Sequence, residues 1–275
     1  MAGKKKQNLI AFTFIGIFRL VWYILKGIYV AVKFILAGIF SIFRKASEKR
    51  NKNIEDKTAE KERKNSMLKE LVEIENEQGN FEDFKHILYE KQSTIGLILG
   101  ARGTGKSALG LRVLENIASR TRKKVYAMGF KDLPRWIRLA SNLEEVQVDS
   151  FLLIDESGIT FSSRNFMKEL NKFLSDLLLI ARHKDLSVLF LTQNSANIDV
   201  NIIRQIDYLI LKPSSLLQKD FERKKISEIY REKAEKFKKH KHVRGMSYIY
   251  SDSYLGFVSN ELPSFWNDKI SKSFR

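Results

Sequence analysis

Three short stretches gather residue types that can do chemistry on phosphate. The first is "GARGTGKSA", in which Gly100, Ala101, Arg102, Gly103, Thr104, Gly105, Lys106 and Ser107 fit G-x-x-x-x-G-K-[ST] and Ala108 follows. Glycines let backbone N–H groups wrap an anion, and the start of a following helix adds the positive end of its dipole. In that setting Lys106 reaches the terminal phosphates and the Ser107 hydroxyl ligates Mg²⁺. The second stretch, "FLLIDES", ends four apolar residues in Asp155 and Glu156. An aspartate at the tip of a buried strand can complete the metal shell, and the glutamate beside it can orient or deprotonate an attacking water. The third, "SVLFLTQN", ends in Thr192, Gln193 and Asn194. The Gln193 amide can sense a terminal phosphate if its strand lies between those carrying the other two motifs. The sum is binding and hydrolysis of a nucleoside triphosphate with Mg²⁺.

Asp155-Glu156-Ser157-Gly158 also spells the D-x-x-G of GTPases, but Asn171-Lys172 continues into Phe173-Leu174, so no N-K-x-D element reads a guanine. ATP is the expected nucleotide.

These residues need strands that end together and helices that start there. Apolar runs predict strands near 94–99, 123–128, 150–154, 186–191 and 207–211, with helices near 106–119, 134–145, 164–182 and 198–205 between them. Continuous apolar strands alternating with helices predict an α/β fold, a mainly parallel sheet between helices. The motif-bearing core is expected over residues 81–214.

The chain has 275 residues, enough for one sizeable domain with appendages. It carries 49 Lys and Arg against 32 Asp and Glu, a surplus of 17, which points to a polyanionic partner, either nucleic acid or anionic lipid. Absence of cysteine excludes a disulfide framework and a thiolate site, and the scattered His86, His183, His240 and His242 argue against a histidine metal centre.

Ahead of the core, Leu9 to Phe43 is apolar apart from Arg19, Lys26 and Lys33, and basic residues flank it. As one helix it would run roughly 50 Å, against a hydrocarbon core of about 30 Å. The three charges are seven apart and form one stripe, with Gly16, Gly27 and Gly38 on a neighbouring face. Residues 1–45 are therefore expected to be a membrane-associated helical segment, spanning or lying in the interface through residues 8–43, with the ATPase domain on the cytoplasmic side. Residues 46–80, dense in Lys and Glu, are expected to be a charged linker.

The run from Leu153 to Pro213 resembles the FtsK/HerA superfamily of DNA-pumping ATPases. Within it, "ARHKDLSVLFLTQNSANID" is similar to the Zot-type assembly ATPases of filamentous phages and to genome-packaging ATPases of membrane-containing viruses. The resemblance covers about residues 94–213. It implies a RecA-like P-loop core, a homo-oligomer that can be a hexameric ring, and ATP-driven movement of DNA. Carried over by position, it gives Lys106 and Ser107 the phosphate and Mg²⁺, Asp155 the metal, Glu156 the water and Gln193 the sensor role. A ring enzyme also needs an arginine delivered to its neighbour's nucleotide. Arg182 is the first candidate, with Arg164 and Arg204 behind it. Asn194 and Ser195 depart from the proline that many members carry after the sensor glutamine, and Zot-like proteins usually place the membrane helix after the ATPase domain.

Residues 215–275 read as a basic helix near 215–239 followed by a β-hairpin, "MSYIYSDSYLGFVSN", packed on the core. The helix is either a solvated face or a surface that tracks phosphates. Two functions thus compete: a membrane-anchored ATPase that translocates DNA, and a nucleotide-switched membrane scaffold that handles no nucleic acid.

Overall fold

The computed structural model describes residues 57–159, 165–215, 222–267 and 269–270, and the separate positions 22, 26, 33, 40, 41, 44 and 50. The chain divides into two compact units, Met1–Lys57 and Thr58–Arg275. In the first, the described positions are helical and exposed, and Lys26 Nζ lies 5.0 Å from the centroid of the Trp22 ring. The expected membrane segment 8–43 falls mostly outside the described residues, and among those described no helix is long and apolar enough to cross a membrane.

The second unit is a mixed α/β fold around one nine-stranded sheet. Its strands are β1 (Val72–Gly79), β2 (Ile95–Leu99), β3 (Lys124–Met128), β4 (Arg138–Leu139), β5 (Ser150–Asp155), β6 (Ser187–Thr192), β7 (Tyr208–Leu211), β8 (Ser247–Ser251) and β9 (Tyr254–Ser259). They lie in the order β1-β9-β8-β7-β2-β6-β5-β3-β4. The stretch β7-β2-β6-β5-β3-β4 is parallel, and β8, β9 and β1 extend it as antiparallel strands.

Helices α1 (Phe81–Tyr89), α2 (Lys106–Arg120), α3 (Phe166–His183), α4 (Val200–Ile203), α5 (Lys224–Glu232) and α6 (Ala234–Lys239) complete the unit. A parallel sheet is covered on both faces, so its strands must be apolar on both. Leu97 and Leu99 accordingly face Leu174, Leu177 and Tyr230, while Ile98 between them faces Leu109, Val113 and Leu114. The C-terminal hairpin forms as expected, as β8 and β9.

Three expectations are corrected. Residues 134–145 are not a helix: Trp136, Ile137, Ala140 and Leu143 are buried at helix-like spacing, but Arg138 and Leu139 extend to pair with Tyr126 and Ala127. Asn142 then starts a short 3₁₀ turn by accepting from the Glu144 and Glu145 amides at 3.0 and 3.2 Å.

The charged linker, second, becomes part of the fold well before residue 80. Arg63 donates to the Ala118 and Thr121 carbonyls at 2.9 and 2.7 Å, Leu71 is buried, and β1 pairs with β9.

Third, the basic segment is two helices meeting at Lys233. Lys233 and Lys236 both reach Glu77, and Lys236, Lys239 and His240 reach Glu75, at 2.6 to 2.8 Å. Those bonds hold the Glu75 carboxyl far below the usual glutamate range. These three lysines are therefore engaged by β1, and two of the alternating acids in "VEIENEQG" are the complement of Lys233, Lys236 and Lys239.

A chain starting at Thr58 should fold cooperatively, whereas one starting at Phe81 should lose about 3 kcal/mol or more, from the burial of Leu71 and Ile74 alone. Urea denaturation of the two lengths measures the difference.

Candidate active site

Parallel pairing sets the carboxyl ends of β2, β6 and β5 at one edge of the sheet. β6 runs between the other two, with Leu99 opposite Thr192 and Asp155 opposite Leu191. The condition placed on the third motif is met.

Beyond β2 the chain turns through residues 100–105 into α2. Gly105 has φ +88°, a conformation that side chains resist, and it turns the chain so that the helix begins at Lys106. A Cβ on Gly100 would lie 2.5 Å from Lys212 Cβ, so the loop can pass β7 only as glycine. Thr104 Oγ1 closes the loop on the Ala101 carbonyl at 2.7 Å. Arg102 and Gly103 form its exposed crest, and Ala108 is buried in the first turn of α2.

Lys106 Nζ donates to the carbonyls of Gly100 and Ala101 at 2.9 and 3.0 Å. Burial draws its ammonium below the ordinary lysine value, and the Asp155 and Glu156 charges oppose this. Ser107 Oγ donates to Asp155 Oδ2 at 2.8 Å, and the other oxygen of Asp155 accepts from Ser157 N and Oγ at 3.1 and 2.6 Å. A hydroxyl and a carboxylate meeting at a helix start are the hard oxygen donors that Mg²⁺ takes, so these residues fit that ion.

Glu156 accepts from Thr192 Oγ1, from the Asn197 side chain and from the Gln193 backbone. Burial pushes its carboxyl above the ordinary glutamate value, and those bonds oppose the shift. Lys106, Asp155, Glu156, Ser157, Thr192, Gln193 and Asn197 line one cleft of about 320 Å³, with Ile159, Phe166 and Leu191 as its apolar wall. The arrangement can hold a triphosphate against Lys106, a divalent cation between Ser107 and Asp155, and a water beside Glu156.

The cleft thus gathers Lys106, Asp155, Glu156 and Gln193, and Ser107 adjoins it through its bond to Asp155. Arg182 is not in it. It sits on the last turn of α3, whose first residue, Phe166, lines the cleft, so roughly 25 Å of helix separates the two. Its Nη2 lies 3.5 Å from Gln205 Oε1. Arg204 is exposed at the end of α4, and Arg164 falls outside the described residues. Sequence reasoning missed the grip of Thr192 and Asn197 on Glu156. The hydroxyl of Thr192, which follows the four apolar residues Val188 to Leu191, was the available signal.

Behind the loop, Lys212 is fully buried at the end of β7 and donates to three neutral acceptors: the Gly245 and Met246 carbonyls at 2.7 and 3.2 Å and Asn260 Oδ1 at 3.0 Å. Desolvation pulls its ammonium down to about 7.

Residues 107–210 match the family model described as zonular occludens toxin (Zot). That span takes in Ser107, the Asp155–Glu156 pair, β6 with Gln193, and most of β7, and it bears out the resemblance to Zot-type ATPases drawn from "ARHKDLSVLFLTQNSANID". Among solved structures, the DNA-packaging ATPase from Sulfolobus turreted icosahedral virus is similar with a TM-score of 0.45 at 13% identity, covering 62% of this chain and 99% of that one. The genome-packaging NTPase from Sulfolobus turreted icosahedral virus 2 in complex with ATP-gammaS gives 0.41 at 16% identity, covering 62% and 98%. A search of curated proteins gives no match.

An unfolded lysine titrates at its ordinary 10.5 and the folded Lys212 at about 7. Between those values the unfolded chain holds the extra proton, so this group makes stability rise with pH across that window. Denaturation at several pH values should show that rise in the wild type and a flatter profile in Lys212→Met.

Proposed function

We propose that this chain, a P-loop ATPase with a Zot-type domain, couples ATP hydrolysis to the movement of DNA while held at a membrane by residues 8–43. The observation that carries the reading is the site itself: Lys106 and a serine–aspartate pair where α2 starts, and a half-buried, hydrogen-bonded glutamate, all gathered at the ends of three adjacent strands.

On this reading an incoming triphosphate draws Lys106 away from the Gly100 and Ala101 carbonyls, which offer only neutral acceptors. Ser107 and Asp155 would hold Mg²⁺, which neutralises charge on the β- and γ-phosphates when bound. Glu156 orients the attacking water and takes its proton. Burial, which raises its proton affinity, suits it to that step. Gln193, just past the tip of the middle strand and beside Glu156, reports the state of the terminal phosphate. Arg182, distant from its own cleft, serves as the residue offered to a neighbouring subunit in a homo-oligomeric ring.

DNA is the polyanionic partner of this reading, and the basic surplus is compatible with it. Lys224 and Lys225, at the start of α5, are exposed and form no ion pair among the described residues. With Arg204 and Tyr250, and with Asp207 and Asp252, they line an apolar-floored cavity of about 580 Å³ on the α4–α5 side of β7. Lysines at such a mouth suit phosphates, and a tyrosine beside them suits a base.

ATP turnover should rise with DNA, and comparing single- with double-stranded DNA identifies the substrate. Glu156→Gln should keep nucleotide binding and lose roughly 100-fold or more of turnover, while Lys106→Ala should lose binding. Replacing Lys224 and Lys225 by alanine should reduce the salt slope of DNA binding by about 1 per lysine. An active ATPase indifferent to DNA but stimulated by anionic liposomes would favour the membrane scaffold instead.

A further inference from the structure

The loop after β6, residues 193–198, supplies Glu156 with the Gln193 backbone and the Asn197 side chain, and Thr192 just before it supplies a hydroxyl. What fixes this loop therefore fixes the glutamate. On one side Asn171 of α3 donates to the Asn197 carbonyl at 3.0 Å. From the other side comes a double grip. Glu222 accepts from the Ser195 amide at 2.8 Å and from the Ser195 hydroxyl. Arg223 returns along the same loop, donating through its amide to Ser195 Oγ at 3.1 Å and through Nε to the Ser195 and Ile198 carbonyls at 3.1 and 2.9 Å. Ser195 is fully buried and Glu222 nearly so, and a buried carboxylate stripped of its donors is costly, so the grip resists slipping.

The gripping pair leads straight into α5. Lys224 and Lys225 follow within two residues, and further along the helix Tyr230 donates to the Lys212 carbonyl at 2.9 Å and approaches that of Leu99 at 3.4 Å. Leu99 is the last residue before the phosphate loop. One helix thus touches both walls of the cleft, the glutamate's loop at its start and the root of the phosphate loop at Tyr230.

We propose that Glu222 and Arg223 are positioning residues for hydrolysis, holding loop 193–198 so that Glu156 addresses the water, and that they connect this loop to the basic start of α5. This rests on the ATPase reading above. Neither residue lines the cleft, and the pair reaches Glu156 through the loop it holds at Ser195 and Ile198. A phosphate chain drawn to Lys224 and Lys225 pulls on residues one and two places from the grip, which makes turnover responsive to DNA.

The experiment compares steady-state ATP hydrolysis of the full chain, with and without DNA, in wild type, Glu222→Gln and Arg223→Lys. Glutamine keeps the size of Glu222 and loses its charge; lysine keeps the charge of Arg223 and loses its fork. Each variant should lower kcat by about tenfold or more, leave KM within about twofold, and reduce the fold-stimulation by DNA towards one. Thermal melting identifies a variant that fails to fold, and Ser195→Ala, which removes only a hydroxyl, then takes its place with the same expectation. Wild-type kcat and DNA stimulation in all folded variants would overturn the positioning role, as would a rise in KM that matches the fall in kcat. Failure of the ATPase reading looks different: the wild type would be inactive, or Glu156→Gln would be as active as the wild type.

Discussion

Strands that end at the same height on one sheet edge are the constraint from which the rest of the site follows. Parallel pairing sets Leu99 against Thr192 and Leu191 against Asp155, so the groups just past those residues share an edge without any contact having to steer them. Sliding any one strand by a single residue would turn its side chains to the opposite face. Glu156 would then lose Thr192, and Asp155 would lose Ser107. Burial of both sheet faces under α2 and α3 is what forbids that slide, because each slipped strand would carry apolar groups to the wrong layer.

The same sheet also balances charge locally within the second unit. Glu75 and Glu77 on β1 gather Lys233, Lys236, Lys239 and His240, so the acid content of the amino-terminal strand answers the lysine content of the helix that lies over it. A second pairing is buried outright. Arg112 and Glu115 on α2, almost without exposure, meet at 2.8 Å, and the pair binds residues near both ends of the folded unit, at Met67, Leu262 and Ser264. Breaking one partner would strand the other, so the pair acts as a registry element for the helix that bears Lys106 and Ser107.

The parts legible in the sequence were those written locally. The apolar strands and glycine turn showed themselves, as did the acidic pair and the polar tip of β6, because each signal occupies fewer than about ten residues in a row. What escaped depended on distant partners. The spacing of Trp136, Ile137, Ala140 and Leu143 mimics a helix, and only β3 alongside decides that the chain extends there. β1 looked like solvated linker because its glutamates are satisfied by lysines more than 150 residues away. Arg112 and Glu115 have the residue types of a wet helix face, and nothing nearby announces that two chain segments close over them. The grip on Ser195 was hidden likewise, since Glu222 and Arg223 sit in a stretch whose composition speaks only of charge.

The two margins of the sheet differ in a way that bears on assembly. One is β4, a strand of two residues; the other is β1, studded with carboxylates and broken by register shifts at Glu73/Glu75 and Asn76/Gln78. Short, charged and bulged borders are poor templates for a tenth strand. Neither rim therefore favours the joining of copies strand to strand.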